Sequence, residues 1–179
     1  MASSIQIVDN YLPSDVFNKL KESMDEDTYF PWCRSSTVNG PDWQEHEDQL
    51  GANGQFVNQM WHPTEGPSDS FNTVKDALDY FNIYAIIRIK ANMLLRTSDI
   101  IYHPFHTDLG DSGIQCTTAI LYLNTNNGYT HFSDGNKIES VANRVVAFPC
   151  TVPHAGTTCT DASVRTVINF NFYGNYDAK

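Results

Sequence analysis

Seven short segments rich in β-branched and aromatic residues follow one another from residue 83 onward, and turn-forming residues separate them. This pattern predicts strands of a few residues each, as in an all-β sandwich or jelly roll. The segments read "IYAIIRIKANML", "IIYHPFHTD", "CTTAILYLN", "GYTHFSDG", "KIESVAN", "RVVAFPC" and "VRTVINFNF".

The first 82 residues have a different character. "IQIV" predicts a short strand, and apolar residues at helical spacing predict a helix from Pro13-Ser14 to about Met24. "TYFPWCRSS" predicts another strand, and "SFNTVKDALDYFN" predicts a second amphipathic helix. Residues 37–69 are expected to form long loops and a mobile cover, with a little strand at "QFVNQMWH".

We therefore expect one domain over residues 1–179. Its fold class is mainly β: a jelly-roll core over about 83–173, braced by N-terminal α-helices within about 1–82.

Composition excludes several function classes. The net charge is −10 and no basic stripe exists, so binding of nucleic acid is not expected. No apolar run is long enough to span a membrane, and the N-terminus lacks the pattern of a signal peptide, which favours a cytoplasmic protein. Residues 1–50 hold ten acids and three bases; a solvated surface explains them better than a site for a basic substrate. The four cysteines form no CxxC pair and are expected to be buried apolar residues.

The most informative motif is His106-x-Asp108 in the segment "IIYHPFHTD". In a strand these two side chains point to the same face, about 6.6 Å apart. A histidine nitrogen and a carboxylate oxygen together suit Fe(II), Mn(II) or Zn(II). The motif therefore predicts a metal site that needs a third ligand.

His154 is the favoured third ligand. It follows the strand "RVVAFPC" and lies 48 residues after His106, a gap that lets an antiparallel chain return beside that residue. Strand parity or a position in the loop-rich part argues against the other candidates, which are His46, His62, His103 and His131. Two histidines and one carboxylate form the facial triad of non-haem iron oxygenases, with positions open for chemistry.

Arg165 indicates that the site also binds an anion. It follows His154 by eleven residues and begins the strand "RTVINFNF", where an unpaired guanidinium is costly. Its planar fork pairs bidentately with a carboxylate. A dicarboxylate such as 2-oxoglutarate, with one end on the metal and the other on Arg165, satisfies both sites. Asn169 has the strand parity of Arg165 and is expected to help line the pocket.

The run "HTD … TTAILYLNTNNGYTHFSDG … RVVAFPCTVPHAGTTCTDASVRTVINFNF" resembles the Fe(II)/2-oxoglutarate-dependent dioxygenases. Within them it is similar to the prolyl 4-hydroxylase branch, particularly the small single-domain members of microbes and their phages. The resemblance covers about residues 83–173 and implies a double-stranded β-helix, a cupin-like jelly roll. A phage protein that acts in the cytoplasm of a bacterial host is compatible with it.

The resemblance also implies roles for individual residues. His106, Asp108 and His154 would be the Fe(II) ligands, and Arg165 would hold the distal carboxylate of 2-oxoglutarate. The implied reaction uses O2, converts 2-oxoglutarate to succinate and CO2, and hydroxylates a C–H bond without a side-chain general base. Two further residues match co-substrate contacts of the family: Tyr122 in "LYLN" and Thr130 in "GYTHF".

Two departures from the family pattern bear on the substrate. Many prolyl hydroxylases have Gly-Gly where this chain has Asn127-Gly128, and collagen-type members have lysine at the position of Arg165. We therefore do not expect collagen-like substrates.

Several functions stay open. The leading hypothesis is hydroxylation of a prolyl residue in a peptide or protein. The same chemistry on a free amino acid, another side chain or a small metabolite is the second. A non-catalytic jelly-roll binding module is the third, although it would have no need of Arg165 and a full ligand set. A metal enzyme without 2-oxoglutarate is the fourth, and it would leave Arg165 without a partner.

Overall fold

In the computed structural model, residues 5–24, 29–35, 55–109 and 113–175 are described. The strands are β1 (Gln6–Val8), β2 (Cys33–Ser35), β3 (Gln55–His62), β4 (Gly66–Pro67), β5 (Asn82–Leu95), β6 (Thr117–Tyr122), β7 (Tyr129–Phe132), β8 (Lys137–Glu139), β9 (Val145–Pro149), β10 (His154–Gly156) and β11 (Val164–Asn175). The helices are α1 (Ser14–Glu22), a 3-10 helix (Asp69–Thr73) and α2 (Lys75–Leu78).

Two antiparallel sheets form the body of the protein. The larger has the order β1-β9-β6-β11-β5-β3-β2, with β4 paired to β3, and the smaller has the order β10-β7-β8. Most neighbours are not consecutive in the chain, so the chain crosses repeatedly between sheet positions. This architecture confirms the predicted mainly β, jelly-roll fold.

Side-chain alternation gives the large sheet two different faces. The outer face packs on α1, the 3-10 helix and α2 through residues such as Phe17, Val74, Ile89 and Phe170. The inner face meets the small sheet through a second apolar cluster, which consists of Ile120, Tyr122, Phe132, Ile138, Val146, Phe148 and Val167. Polar residues on the same inner face of β5 and β11 border a cavity between the sheets.

The N-terminal part contributes strands to the large sheet in addition to the helices that pack on it. The strands β1, β2 and β3 all belong to the large sheet, so residue 82 does not mark an edge of the β structure. The segment "QFVNQMWH" forms the eight-residue strand β3, whereas residues 36–54 of the predicted cover lie outside the described residues.

Helix α1 confirms the first predicted helix. The second prediction was wrong in its extent, because a 3-10 helix and one α-helical turn replace a continuous helix. Val74, Ala77 and Phe81 are nevertheless buried, as their spacing requires. No helix in the described part of the chain is long and apolar enough to cross a bilayer.

The segment from residue 100 to 108 is not the strand that its composition predicts. It contacts its neighbour only through isolated bridges, Tyr102 to Thr157 and His106 to His154. Four residues of this segment span the distance between the bridges, from Tyr102 to His106, against three residues of its neighbour, from His154 to Thr157, so the register shifts by one residue. The segment therefore borders the cavity as an irregular edge, with His103, His106 and Asp108 among the lining residues.

Candidate metal and co-substrate site

His106, Asp108 and His154 converge at one end of the cavity. One ligand atom from each lies within 4.8 Å of the others. His106 Nε2 lies 4.0 Å from Asp108 Oδ1, and His154 Nε2 lies 3.9 Å from Asp108 Oδ2. The two histidines exchange backbone hydrogen bonds of 3.0 Å across their bridge, which fixes the spacing of their rings. The structure brings together the residues that strand parity and chain position suggested, but the bridge and not a regular strand positions them.

The buried imidazole of His154 is oriented as a metal ligand would be. Its Nδ1 lies 3.0 Å from the carbonyl oxygen of Val152, so Nδ1–H donates there and Nε2 carries the lone pair. Nε2 is buried and has no hydrogen-bond partner among the described residues. A buried nitrogen acceptor without a donor is unusual, and a cation between it and Asp108 would satisfy it. The donor set therefore fits a divalent metal such as Fe(II).

Asp108 is held ionised and oriented by three side chains. Arg88 donates to Oδ1 at 2.8 Å, while Thr118 and Asn171 donate to Oδ2 at 2.7 and 2.9 Å. Burial by itself would raise the pKa of Asp108, but the charge of Arg88 and the hydrogen bonds from Thr118 and Asn171 lower it to about 2. The carboxylate therefore offers negative charge to a cation throughout the physiological pH range.

The sequence reasoning missed these three partners of Asp108. A signal was present, because Arg88 and Asn171 occupy inner-face positions of strands that pair with each other. Asn171 also pairs with Thr118 on the opposite neighbour. Following strand parity across paired strands would have placed all three side chains beside the motif.

His106 stays neutral near neutral pH. Burial and the neighbouring His154 lower the pKa of His106 to about 4. A neutral imidazole is the form that binds a metal ion. The neutral imidazole of His106 and the ionised carboxylate of Asp108 are therefore in the protonation state that a metal ligand requires.

Arg165 lies deeper in the same cavity and is only 3% exposed. Its Nε donates to Ser140 Oγ at 2.8 Å and its Nη2 donates to Thr130 Oγ1 at 3.2 Å. No carboxylate in the described part of the chain pairs with it. Burying a guanidinium without an anion is costly, so the cavity is suited to a ligand that brings one.

The other residues suggested for the co-substrate lie around this guanidinium. Tyr122 is fully buried, and its hydroxyl donates to Thr130 Oγ1 at 2.8 Å. The Arg165 guanidinium carbon lies 5.6 Å from the centre of the Tyr122 ring. Asn169 lines the cavity nearer the metal ligands, and its buried Oδ1 has no hydrogen-bond partner among the residues described.

Of the rejected histidines, His103 does lie in the cavity wall. It is 7% exposed, and burial and the charge of Arg165 lower its pKa to about 4. The parity argument failed for His103 because the segment is not a regular strand. His131 packs among Tyr102, Phe105 and Tyr129, away from the cavity, as predicted. His62 bonds to Thr64, and His46 lies outside the described residues.

The cysteines also differ from the prediction. Cys150 and Cys159 are buried as expected, but Cys33 is exposed and Cys116 is only half-buried. All four are free thiols. None belongs to the metal-ligand cluster.

Gly128 packs closely against the side chain of Arg165. A Cβ at Gly128 would lie 2.7 Å from Arg165 Cδ and 2.6 Å from the carbonyl oxygen of Thr158. The position therefore excludes any side chain. The preceding Asn127 is exposed, and its side chain exchanges hydrogen bonds with Thr160 instead. Only the second glycine of the family's Gly-Gly pair is needed here.

Gly128→Ala is expected to lower the free energy of unfolding by about 2 kcal/mol, because the added methyl group overpacks a site closed by backbone. Displacement of Arg165 should also weaken binding of a carboxylate ligand in the cavity. Urea denaturation and a ligand titration measure the two effects. Unchanged values for both would contradict this role of Gly128.

Comparisons with known proteins agree with the fold. No protein-family model matches the sequence, and no curated protein matches it significantly. Among solved structures, a prolyl-4-hydroxylase from Pseudomonas putida has a TM-score of 0.53 at 15% identity, covering 97% of this chain and 94% of that chain.

Two further solved structures are similar. A prolyl hydroxylase from Trichoplax adhaerens, in complex with a hypoxia inducible factor peptide fragment, has a TM-score of 0.58 at 12% identity, covering 97% and 84% of the two chains. A 2OG-Fe(II) oxygenase family oxidoreductase from Burkholderia pseudomallei has a TM-score of 0.58 at 14% identity, covering 96% and 85%. The chain has the prolyl-4-hydroxylase-like fold of the 2OG-Fe(II) oxygenases.

Proposed function

We propose that this protein is an Fe(II)- and 2-oxoglutarate-dependent dioxygenase that hydroxylates a C–H bond. The observation that carries the proposal is the presence of two complementary sites in one cavity. A metal-ligand cluster, His106, Asp108 and His154, lies at one end, and the buried cation Arg165 lies at the other. A dicarboxylate that reaches from a metal ion to a guanidinium satisfies both.

The residues of the chain bind and orient the reactants. His106, Asp108 and His154 would hold Fe(II), while Arg165 and Thr130 would bind the distal carboxylate of 2-oxoglutarate, with Tyr122 and Asn169 lining its compartment. When bound, Fe(II) and 2-oxoglutarate would supply the activation of O2, with succinate and CO2 as products. Apolar residues between the two ends, Ile120 and Val167, would exclude water from the methylene groups of the co-substrate.

We favour a prolyl residue of a peptide or protein as the substrate. Two of the similar structures are prolyl hydroxylases, and one of these is in complex with a peptide. Hydroxylation of a free amino acid or another small molecule is the second candidate, and it is favoured by Lys90, a cation of the cavity wall without an ion-pair partner among the described residues. The assignment of residues 1–179 to one domain, the cytoplasmic location and the phage origin stay predictions.

Turnover of 2-oxoglutarate tests the proposal. The Fe(II)-loaded protein is incubated in air with 2-oxoglutarate, and succinate is measured by mass spectrometry, alone and with proline peptides and their alanine-substituted counterparts. Succinate from the native protein, and none from His154→Ala, supports an oxygenase. A larger yield with proline than with alanine peptides supports prolyl hydroxylation. No succinate under any condition would overturn the proposal.

Tyr122→Phe is expected to raise the dissociation constant of 2-oxoglutarate about fivefold. The substitution keeps the ring beside Arg165 and removes only the hydroxyl that donates to Thr130, a loss of roughly 1 kcal/mol. Isothermal titration of the metal-loaded protein measures the change. An unchanged dissociation constant would limit Tyr122 to packing in the core.

A further inference from the structure

The cavity contains a second cation, Lys90, that the proposed function does not use. Lys90 lies on the inner face of β5, two residues from Arg88, and lines the cavity on the side of the metal ligands. It pairs with Asn169 of β11, whereas Arg165 pairs with Leu94. The two cations are thus separated by four residues of strand, about 13 Å. Arg165 and Lys90 therefore mark two ends of the cavity.

Lys90 has no ion-pair or hydrogen-bond partner for its ammonium group among the described residues. Asp108 is the carboxylate nearest in the cavity wall, but Arg88, Thr118 and Asn171 already bond to its two oxygens. Burial and the charge of Arg88 lower the pKa of Lys90, and the attraction of Asp108 offsets this only in part.

The side chains around Lys90 are polar and only partly satisfied. Asn169, directly across the sheet, has a buried Oδ1 without a partner in the described part of the structure. Two residues further along β5, Asn92 Oδ1 accepts a hydrogen bond from Gln55 Nε2 at 2.7 Å, and both side chains continue the polar lining of the cavity toward Arg165. Such a wall suits a polar ligand that carries both an acceptor and a donor.

The charges of the residues that line the cavity also favour a ligand with an anionic group. Its described lining holds three cations, Arg88, Lys90 and Arg165, against one carboxylate, Asp108, although the whole chain has a net charge of −10. A divalent metal ion and a dianionic co-substrate cancel each other. The loaded cavity would keep two positive charges in excess, and its field would favour an anionic substrate.

We propose that the primary substrate presents a carboxylate to Lys90, close to the carbon that reacts. The inference rests on the proposed function and narrows its substrate class. Two sources offer this chemistry: the carboxylate of an amino acid that is itself the acceptor, and an acidic side chain beside the acceptor in a peptide. Asn169 would accept a hydrogen bond from the same substrate.

Matched probes test the inference while the natural substrate is unidentified. The full-length protein is loaded with Mn(II) and saturating 2-oxoglutarate, and line broadening in the proton NMR spectrum of each probe reports its approach to the metal. One pair is N-acetyl-L-proline and N-acetyl-L-prolinamide. The other is acetyl-Pro-Asp-amide and acetyl-Pro-Asn-amide. Each pair differs only in one carboxylate, and together they distinguish the two sources.

We expect at least one carboxylate probe to bind about tenfold more tightly than its amide, as one charge-assisted hydrogen bond provides. Lys90→Met should remove this preference, and Lys90→Gln should largely remove it. The matched control Lys75→Met, at an exposed position of α2, should keep it. Equal binding within both pairs, or a preference that survives in Lys90→Met, would overturn the inference.

Failure of the inference can be told apart from failure of the proposed function. If Lys90→Met weakens 2-oxoglutarate itself, Lys90 belongs to the co-substrate site and the inference is wrong while the proposed function stands. If the native protein binds no 2-oxoglutarate, the proposed function fails whatever the probes do.

Discussion

Replacing Arg165 with methionine is expected to weaken binding of 2-oxoglutarate roughly 100-fold. Loss of a buried, charge-assisted hydrogen-bond partner costs about 3 kcal/mol of binding free energy. Methionine has a similar length and retains contact with the ring of Tyr122. Isothermal titration of 2-oxoglutarate into the metal-loaded protein measures the loss.

The same substitution should not destabilise the ligand-free protein. Arg165 is buried without a carboxylate among the described residues, so its removal relieves a desolvation cost and sacrifices only hydrogen bonds to Ser140 and Thr130. The matched control is Arg96→Met, which removes an exposed guanidinium and should leave both properties unchanged. Loss of stability together with intact 2-oxoglutarate binding would contradict the role assigned to Arg165.

Replacing Asp108 with alanine is expected to abolish metal binding and to destabilise the metal-free protein by about 3 kcal/mol. The second effect follows because Arg88, whose side chain is 20% exposed, loses its 2.8 Å partner and keeps its charge. Asn171 and Thr118 lose an acceptor as well. Urea denaturation of the metal-free protein and a Co(II) titration measure the two effects.

A double-mutant cycle isolates the ion pair. Adding Arg88→Met to Asp108→Ala should restore part of the lost stability without restoring metal binding, because the orphaned cation is gone. If the double variant is less stable than Asp108→Ala by the full cost of a second independent substitution, Arg88 and Asp108 are not coupled.

The sequence was most informative where one residue's chemistry is unusual for its surroundings. A guanidinium in an apolar strand demands an anion, and Arg165 is indeed buried in the cavity. The pair His106 and Asp108 was found by strand parity, and His154 by its place after a strand. These deductions need only local spacing and the cost of burying charge.

Features that depend on non-local pairing were not predictable in this way. From the sequence alone, Arg88 is one of several charged residues in β5. Its role depends on the pairing of β5 with β11, which places Asn171 beside Arg88 and both side chains at Asp108. His103 was rejected because a regular strand was assumed where the register shifts by one residue between Tyr102 and His106. The contribution of β1 and β3 to the large sheet likewise depends on tertiary pairing, which local propensity does not encode.

The most direct test of the central claim is an anaerobic titration of the Fe(II)-loaded protein with 2-oxoglutarate, followed by visible absorption. Chelation of the metal by the co-substrate would produce a weak metal-to-ligand charge-transfer band that saturates at one equivalent. We predict this band for the native protein, its loss in His154→Ala, and a need for much higher 2-oxoglutarate in Arg165→Met. A native protein that binds Fe(II) but gives no band at saturating 2-oxoglutarate would contradict the account.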